Sequence, residues 1–379
     1  MKQILRSLIT AVALLACAAA GAQMPVPSAP ALSARSHILV DYASGQTLAA
    51  KNENEPVEPA SLTKLMTAYV VFRALKEGQI SLEDKVPVSE KAWRTPGSRM
   101  FIEVDTRVPV ELLLQGMIVQ SGNDASVALA EYVAGSEATF AELMNQYARK
   151  LGMLNTHFRN ATGLPAEGHL TTAADIARLA RAIVSEFPEY YHWYSQREFT
   201  YNGITQKNRN ALLWRDPSVD GMKTGMTDSA GYCLVASATR NDMRLISVVL
   251  GTKSATARAN DSQALLNYGF RFFETRLLYP AGGEVTEARV WKGTVEQAGL
   301  GVRDNLYVAI PRGSYDRIET RLDLPDQLVA PVEPDTRLGK LRIVLDGRTL
   351  AQADLFALSG VEPGSLWQQA WDSVLLWFQ

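Results

Sequence analysis

The chain has 379 residues, 47% of them hydrophobic, which is enough for two domains with buried cores. Its 38 lysines and arginines nearly balance 40 aspartates and glutamates, for a formal net charge of −2. With no basic stripe and no G-x-x-x-x-G-K-[ST] loop, that balance argues against nucleic acid as a partner and against a nucleotide cofactor.

The N-terminus reads as a targeting segment. Lys2 and Arg6 precede an apolar stretch from Leu8 to Ala20, and Ala20-Gly21-Ala22 offers a small-residue cleavage site, so residues 1–22 are expected to be a signal peptide. A rival reading takes Leu14-Leu15-Ala16-Cys17 as a lipobox with lipid on Cys17. Removal of residues 1–22 would leave Cys233 alone, so no internal disulfide is expected; its apolar run, Tyr232 to Ala236, makes it a small core residue. Residues 23–35 are rich in Pro, Ala and Ser and read as a linker.

Two strands, Ser36 to Asp41 and Thr47 to Lys51, are expected to form a hairpin around Ser44-Gly45. Pro59 opens a helix running to about Lys76, with Gly78 ending it and Ser61-Leu62-Thr63-Lys64 in its first turn. Helices over 109–119 and 122–134 meet at Ser121-Gly122-Asn123. Thr172 caps an amphipathic helix with Ile176, Leu179, Ala180 and Ile183 inward. Lys223-Thr224-Gly225, Tyr232 to Thr239 and Leu245 to Leu250 supply strands, and a helix over 256–274 closes the unit. Strands at both ends with helices between imply an α/β (α+β) unit, a sheet covered by helices with a cleft between sheet and helical part.

Three of these stretches carry chemistry together. On a helix, positions i and i+3 share a face, so Lys64 can reach the Ser61 hydroxyl without any long-range assumption. That is a serine nucleophile with a lysine base. A lysine titrates near 10.4 in water, and bringing it about three units lower costs about 4 kcal/mol of charge stabilisation. A buried or cation-rich pocket must supply this, and Lys223 is the expected second cation, which would also attract an anionic substrate. Ser121 can relay a proton, and the Asn123 amide can hold a substrate carbonyl and tether Lys64. The four histidines, His37, His157, His169 and His192, show no H-E-x-x-H spacing and no C-x-x-C accompanies them, which removes a zinc peptidase; they read as scaffold or surface residues. No metal and no cofactor is expected.

The ordered set S-x-x-K, S-G-N and K-T-G resembles the active-site serine penicillin-recognising enzymes. Val219-Asp220-Gly221-Met222 leading into Lys223, Ala230-Gly231-Tyr232, Leu234 to Thr239, and Gly269 to Thr275 narrow the resemblance to the type-5 low-molecular-mass penicillin-binding proteins, which are D-alanyl-D-alanine carboxypeptidases. It runs from about residue 36 to the C-terminus and is weakest over 284–360. It implies a β-lactamase/DD-peptidase-like fold, with Ser61 acylated, Lys64 its base, and Ser121, Asn123 and Lys223 as relay and binding groups. Thr224 and Gly225 belong to the substrate strand, Thr224 binding the substrate carboxylate. The Met226 N–H would complete an oxyanion hole with that of Ser61; some relatives carry histidine or threonine here, and any non-proline residue can donate. Arg258 and Arg209 occupy positions in register with family arginines, and a guanidinium fork suits a terminal carboxylate.

The catalytic unit is thus expected over residues 36–280. Beyond it, short alternating runs at Arg289 to Trp291, Leu306 to Ile310, Ile318 to Leu322 and Leu341 to Leu345 read as a small β-rich domain over 284–360. The resemblance implies a stalk that holds the catalytic unit off the membrane, with a partner-binding surface as the other reading. Residues 365–379 place Trp367, Trp371, Val374, Leu375 and Phe378 at helical spacing. They are too few to span a bilayer and read as an interfacial anchor, or else as a helix docked on the second domain.

The expected activity is removal of the terminal D-alanine from peptidoglycan pentapeptides at the periplasmic face of the bacterial inner membrane, with β-lactams acylating the same serine. The alternatives are a β-lactamase, for which Glu167 is the sole nearby acid, and a catalytically silent cell-wall-binding protein.

Overall fold

The computed structural model describes residues 26–377. The expected signal peptide, with Cys17, and the terminal Phe378 and Gln379 lie outside the described residues. The described part of the expected linker runs along a helix, with Ser33 Oγ and the Ala34 N–H both donating to Asp261 Oδ2.

Five antiparallel strands form the central sheet: β1 (Ser36–Asp41), β2 (Thr47–Lys51), β3 (Val219–Thr227), β4 (Gly231–Arg240) and β5 (Met243–Thr252), in the order β2-β1-β5-β4-β3. The apolar run Leu245 to Leu250 sits in the middle because both faces are covered. Ile246, Val248 and Leu250 join one core with the helical part, while Leu245 and Val249 join another with Leu265 and Leu266. This is the period of two that a strand imposes.

Helix α1 (Thr63–Lys76) is buried nearly all round, with Leu65, Met66, Tyr69, Val70 and Phe72 in the core. A helix apolar on every side belongs inside. A 3-10 turn, Ala60–Leu62, leads into it, and Gly78, at φ +69, follows its end. Helices α2 (Val110–Val119) and α3 (Asn123–Ala134) meet at Ser121, and α4 (Ala173–Glu186) is capped by Thr172 Oγ1, which accepts from the Asp175 N–H. Helix α5 (Ala255–Phe272) covers the other face of the sheet.

The expected helix over 256–274 is corrected at its end. The chain leaves α5 at Phe272, and Phe273–Tyr279 is a strand paired with Leu306–Pro311. Helical propensity carries no information about a partner strand that lies well beyond the local window, Phe273 pairing with Pro311, which decides the matter. The β-rich part otherwise forms a six-stranded sheet around Leu300, Leu341, Ile343 and Leu355. Helix α6 (Leu366–Leu376) follows, capped by Ser365 and held by Asp372, whose carboxylate accepts the Lys292 N–H at 2.6 Å.

Candidate active site

Each of the three motifs lies where a different element ends or runs past the cleft. Ser61 is in the 3-10 turn ahead of α1, Lys64 in the first turn of α1, and Ser121 on the tight link between α2 and α3. Ser121 has φ +72, a left-handed conformation uncommon for serine and the kind of local strain that clusters at functional sites. Strand β3, at the edge of the sheet, carries Lys223, Thr224, Gly225 and Met226. A Cβ on Gly225 would lie 3.2 Å from Ala60 Cβ and 3.3 Å from Pro59 O, so this glycine lets β3 run hard against the serine turn.

The side chains meet. Lys64 Nζ lies 3.1 Å from Ser61 Oγ, 2.7 Å from Asn123 Oδ1 and 2.5 Å from Thr162 O. Three acceptors satisfy an ammonium. In the neutral amine, two N–H bonds still serve Asn123 and Thr162, and the lone pair faces the Ser61 hydroxyl. Burial brings the Lys64 pKa down to about 7, helped by the positive field of Arg209 and opposed by Asp124. Lys64 and Lys223 repel one another, so Lys223 acts on Lys64 alongside Arg209. Lys223 is itself pushed well below the usual lysine range, first by burial and then by Lys64, Arg209 and Arg258. Its Nζ donates to Ser121 Oγ at 2.9 Å and to Thr224 O at 3.1 Å.

A cleft of about 700 Å³ opens above this pair, lined among others by Ser61, Ser121, Asn123, Thr224, Met226 and Arg209. Lys64 and Lys223 are buried and do not themselves line it. Arg258 also borders the cleft and is buried, which excludes a surface ion pair. Its guanidinium donates to Gly225 O at 3.1 Å and Cys233 O at 3.4 Å, and it stacks 5.5 Å from the Tyr232 ring centroid. Arg209 is exposed and, among the described residues, has no carboxylate within salt-bridge distance. It is the arginine better placed to meet a carboxylate from solvent. Met226 is half exposed at the rim.

Several supporting residues are not legible from the motifs. Asp124, buried behind Asn123, accepts from the N–H groups of Met100, Phe101 and Ile102 and so fixes the loop facing the cleft. Asn123 Nδ2 donates to Pro96 O in the same loop. Asn160 Oδ1 gathers the Thr162 N–H, the Thr162 hydroxyl and the Gly163 N–H, presenting the Thr162 carbonyl to Lys64. The string Asn160-Ala161-Thr162-Gly163 announces a turn, but nothing local says what its carbonyl faces.

His169 is a buried scaffold residue with a specific task. Its Nδ1 accepts the Arg159 N–H, so Nε2 carries the proton and donates to Thr63 Oγ1 at 2.8 Å. Burial brings its pKa down to about 4. Glu167 is exposed and does not border the cleft. Cys233 is buried and unbridged, its thiol pushed up to about 11 by burial, as a core cysteine should be. Among the described residues no cluster of three or more His, Cys, Asp or Glu could hold a metal.

Comparison with known proteins agrees with this geometry. Residues 23–254 match the family described as D-alanyl-D-alanine carboxypeptidase, and residues 273–363 match the penicillin-binding protein 5 C-terminal domain. The chain is 46% identical over 358 residues to the D-alanyl-D-alanine carboxypeptidase DacC of Escherichia coli (strain K12), covering 92% of this chain and 90% of the relative. It is 42% identical to penicillin-binding protein 5 from Haemophilus influenzae, with a TM-score of 0.86 over 89% of this chain and 99% of that one. Penicillin-binding protein D2 from Listeria monocytogenes, solved in its ampicillin-bound form, is 32% identical with a TM-score of 0.60, covering 64% of this chain and all of that one. On a family match across more than half its length, and on that identity, the chain belongs to the D-alanyl-D-alanine carboxypeptidases, as a penicillin-binding protein of the type-5 low-molecular-mass group.

Proposed function

We propose that the protein removes the terminal D-alanine from peptidoglycan pentapeptides through an acyl-enzyme on Ser61. The single observation that carries this reading is the near-neutral Lys64 amine 3.1 Å from Ser61 Oγ in a cleft built by all three motifs. Lys64 Nζ takes the hydroxyl proton as Oγ attacks the penultimate D-alanine carbonyl, and the developing oxyanion faces the N–H groups of Ser61 and Met226. The C–N bond breaks, and the departing D-alanine amine takes a proton through Ser121, which Lys223 holds. With that proton passed to the amine, Lys64 is neutral again; it takes a proton from the water that attacks the ester and returns it to Ser61 Oγ as the tetrapeptide leaves. Arg209 and Thr224 receive the substrate carboxylate, while Arg258 holds the two strands' carbonyls beneath them.

β-Lactams, which present a carbonyl beside a carboxylate, acylate the same serine in this reading; the ampicillin-bound relative supports it. Release of D-alanine from diacetyl-Lys-D-Ala-D-Ala by the wild type, compared with Ser61→Ala, is the test. Equal release by both proteins removes the mechanism.

We further infer export by residues 1–22 and attachment of α6 to the periplasmic face of the inner membrane. No described helix is long and apolar enough to cross a membrane. What supports attachment is that Leu366, Trp367 and Trp371 are mostly exposed while Asp372 on the opposite side is bonded to the β-rich unit. Cell fractionation of a chain lacking residues 365–379 tests it, and retention in the membrane fraction would sink the idea.

A further inference from the structure

A second cleft, larger than the catalytic one at about 940 Å³, lies where the β1–β2 hairpin, α4 and the loop ahead of Leu306–Pro311 come together. No step of the proposed reaction uses it. Its walls are built. Arg181 Nε donates to Tyr42 O at 2.6 Å and Arg181 Nη2 to Ala43 O at 3.2 Å, which anchors the hairpin turn on α4. The β-rich unit is tied to the same hairpin: the Ala309 N–H donates to Gln46 Oε1 at 2.5 Å, and Thr275 Oγ1 to Asp41 Oδ2 at 2.6 Å. Clefts of several hundred Å³ at the junction of two units are where ligands most often bind.

The chemistry of the lining selects the ligand. Tyr42 contributes a ring backed by Arg244, whose Cζ lies 6.0 Å from the ring centroid, and Tyr307, on the Leu306–Pro311 strand, contributes a second aromatic residue to the lining. Asn54 and Asn305 bring amides, and Arg178 brings a half-exposed guanidinium of which Asp175 occupies one nitrogen. Two arginines are offset by Glu53, Glu186 and Asp304, so the cleft has no strong sign of charge. Aromatic faces, planar donors and balanced charge suit an uncharged polyhydroxylated ligand better than an anion.

We propose that this cleft binds the glycan strand of the cell wall, a β-linked amino-sugar polymer, separately from the peptide being cut. The inference rests on the carboxypeptidase reading for the identity of the polymer. Sheet order sets the distance: β2, at the cleft, and β3, which carries Lys223, are opposite edges four strand spacings apart, roughly 19 Å. A fully extended stem of five residues reaches about 17 Å at most. The two clefts are thus separate, and this one is free to hold the polymer while a stem occupies the active site.

The experiment titrates the full chain with a peptide-free probe, chitotetraose, following amide shifts by NMR, for the wild type, Arg178→Ala and Tyr307→Ala. Saturable binding is expected, with shifts at Tyr42, Asn54 and Asn305 and affinity at least ~10-fold weaker in each variant. In parallel, D-alanine release is measured on diacetyl-Lys-D-Ala-D-Ala and on intact pentapeptide-rich sacculi. The variants are expected to keep small-peptide kcat/KM within about 2-fold and to lose at least ~3-fold on sacculi through KM. No binding by the wild type, or unchanged affinity in both variants, overturns the glycan site. Failure to hydrolyse the small peptide overturns the carboxypeptidase reading instead, since the titration needs no turnover.

Discussion

In the proposed mechanism Lys64 works as a base because its surroundings disfavour a proton on it. With a pKa of about 7, Nζ holds its lone pair above that pH and loses it below. Acylation of Ser61 by a fluorescent penicillin should therefore be half-maximal near pH 7, fall roughly tenfold per unit below it, and level off above. A rate flat from pH 5 to 9 would contradict the assignment. Arg209→Ala removes the leading positive neighbour, so the midpoint should move upward while substrate KM rises. His169 gives a second residue-level prediction. His169→Ala leaves the Thr63 hydroxyl and the Arg159 N–H without their partner, costing about 1–3 kcal/mol in urea denaturation. His169→Gln, with one donor and one acceptor, should recover most of it. The folded His169 takes up a proton only near pH 4 and the unfolded one from about 6.5, so native stability should fall as pH drops through that window. The Gln variant should lack this part of the slope.

Among elements, the turn from Asn160 to Leu164 and the start of α1 are packed more tightly than any motif implies. A Cβ on Gly163 would sit 1.8 Å from Ala60 O, at a φ of +86 that disfavours side chains. Gly163→Ala must displace either the serine turn or the Thr162 carbonyl, and acylation should drop at least ~100-fold with the fold retained. Stopped-flow acylation with circular dichroism checks both halves. The secondary structure itself was largely legible: hairpin turns, the Thr172 cap, and the breaks at Gly78 and Ser121 are local events with local causes. Phe273–Tyr279 was not, because a strand exists there only by virtue of Leu306–Pro311. The hydrogen bonds of Asp124 to the loop at Met100 to Ile102 were equally hidden, since that acid sits in what reads as an ordinary first helical turn.

For the whole molecule, the outermost features are the exposed tryptophans of α6 and the ties between the hairpin and the β-rich unit. The described α6 carries no lysine or arginine, so the proposed membrane attachment should depend on apolar burial alone. Partition of the full chain onto neutral phosphatidylcholine vesicles should equal that onto anionic ones and change little between 0.05 and about 0.5 M salt. Strong dependence on anionic lipid would point to a basic surface elsewhere.

The amino-acid order alone pointed to the reaction class, through three ordered motifs of which the first sets a serine and a lysine three apart in one continuous 3-10 and α turn. It also determined the strands whose apolar runs demand cover on both faces. Only the tertiary structure decided that burial lowers Lys64, that Arg209 adds to the positive field on it, that Thr162 and Asn123 share its protons, and that Arg258 is occupied while Arg209 faces solvent. Burial and Coulomb interactions depend on distances between residues far apart in sequence, and the folded chain alone sets those distances.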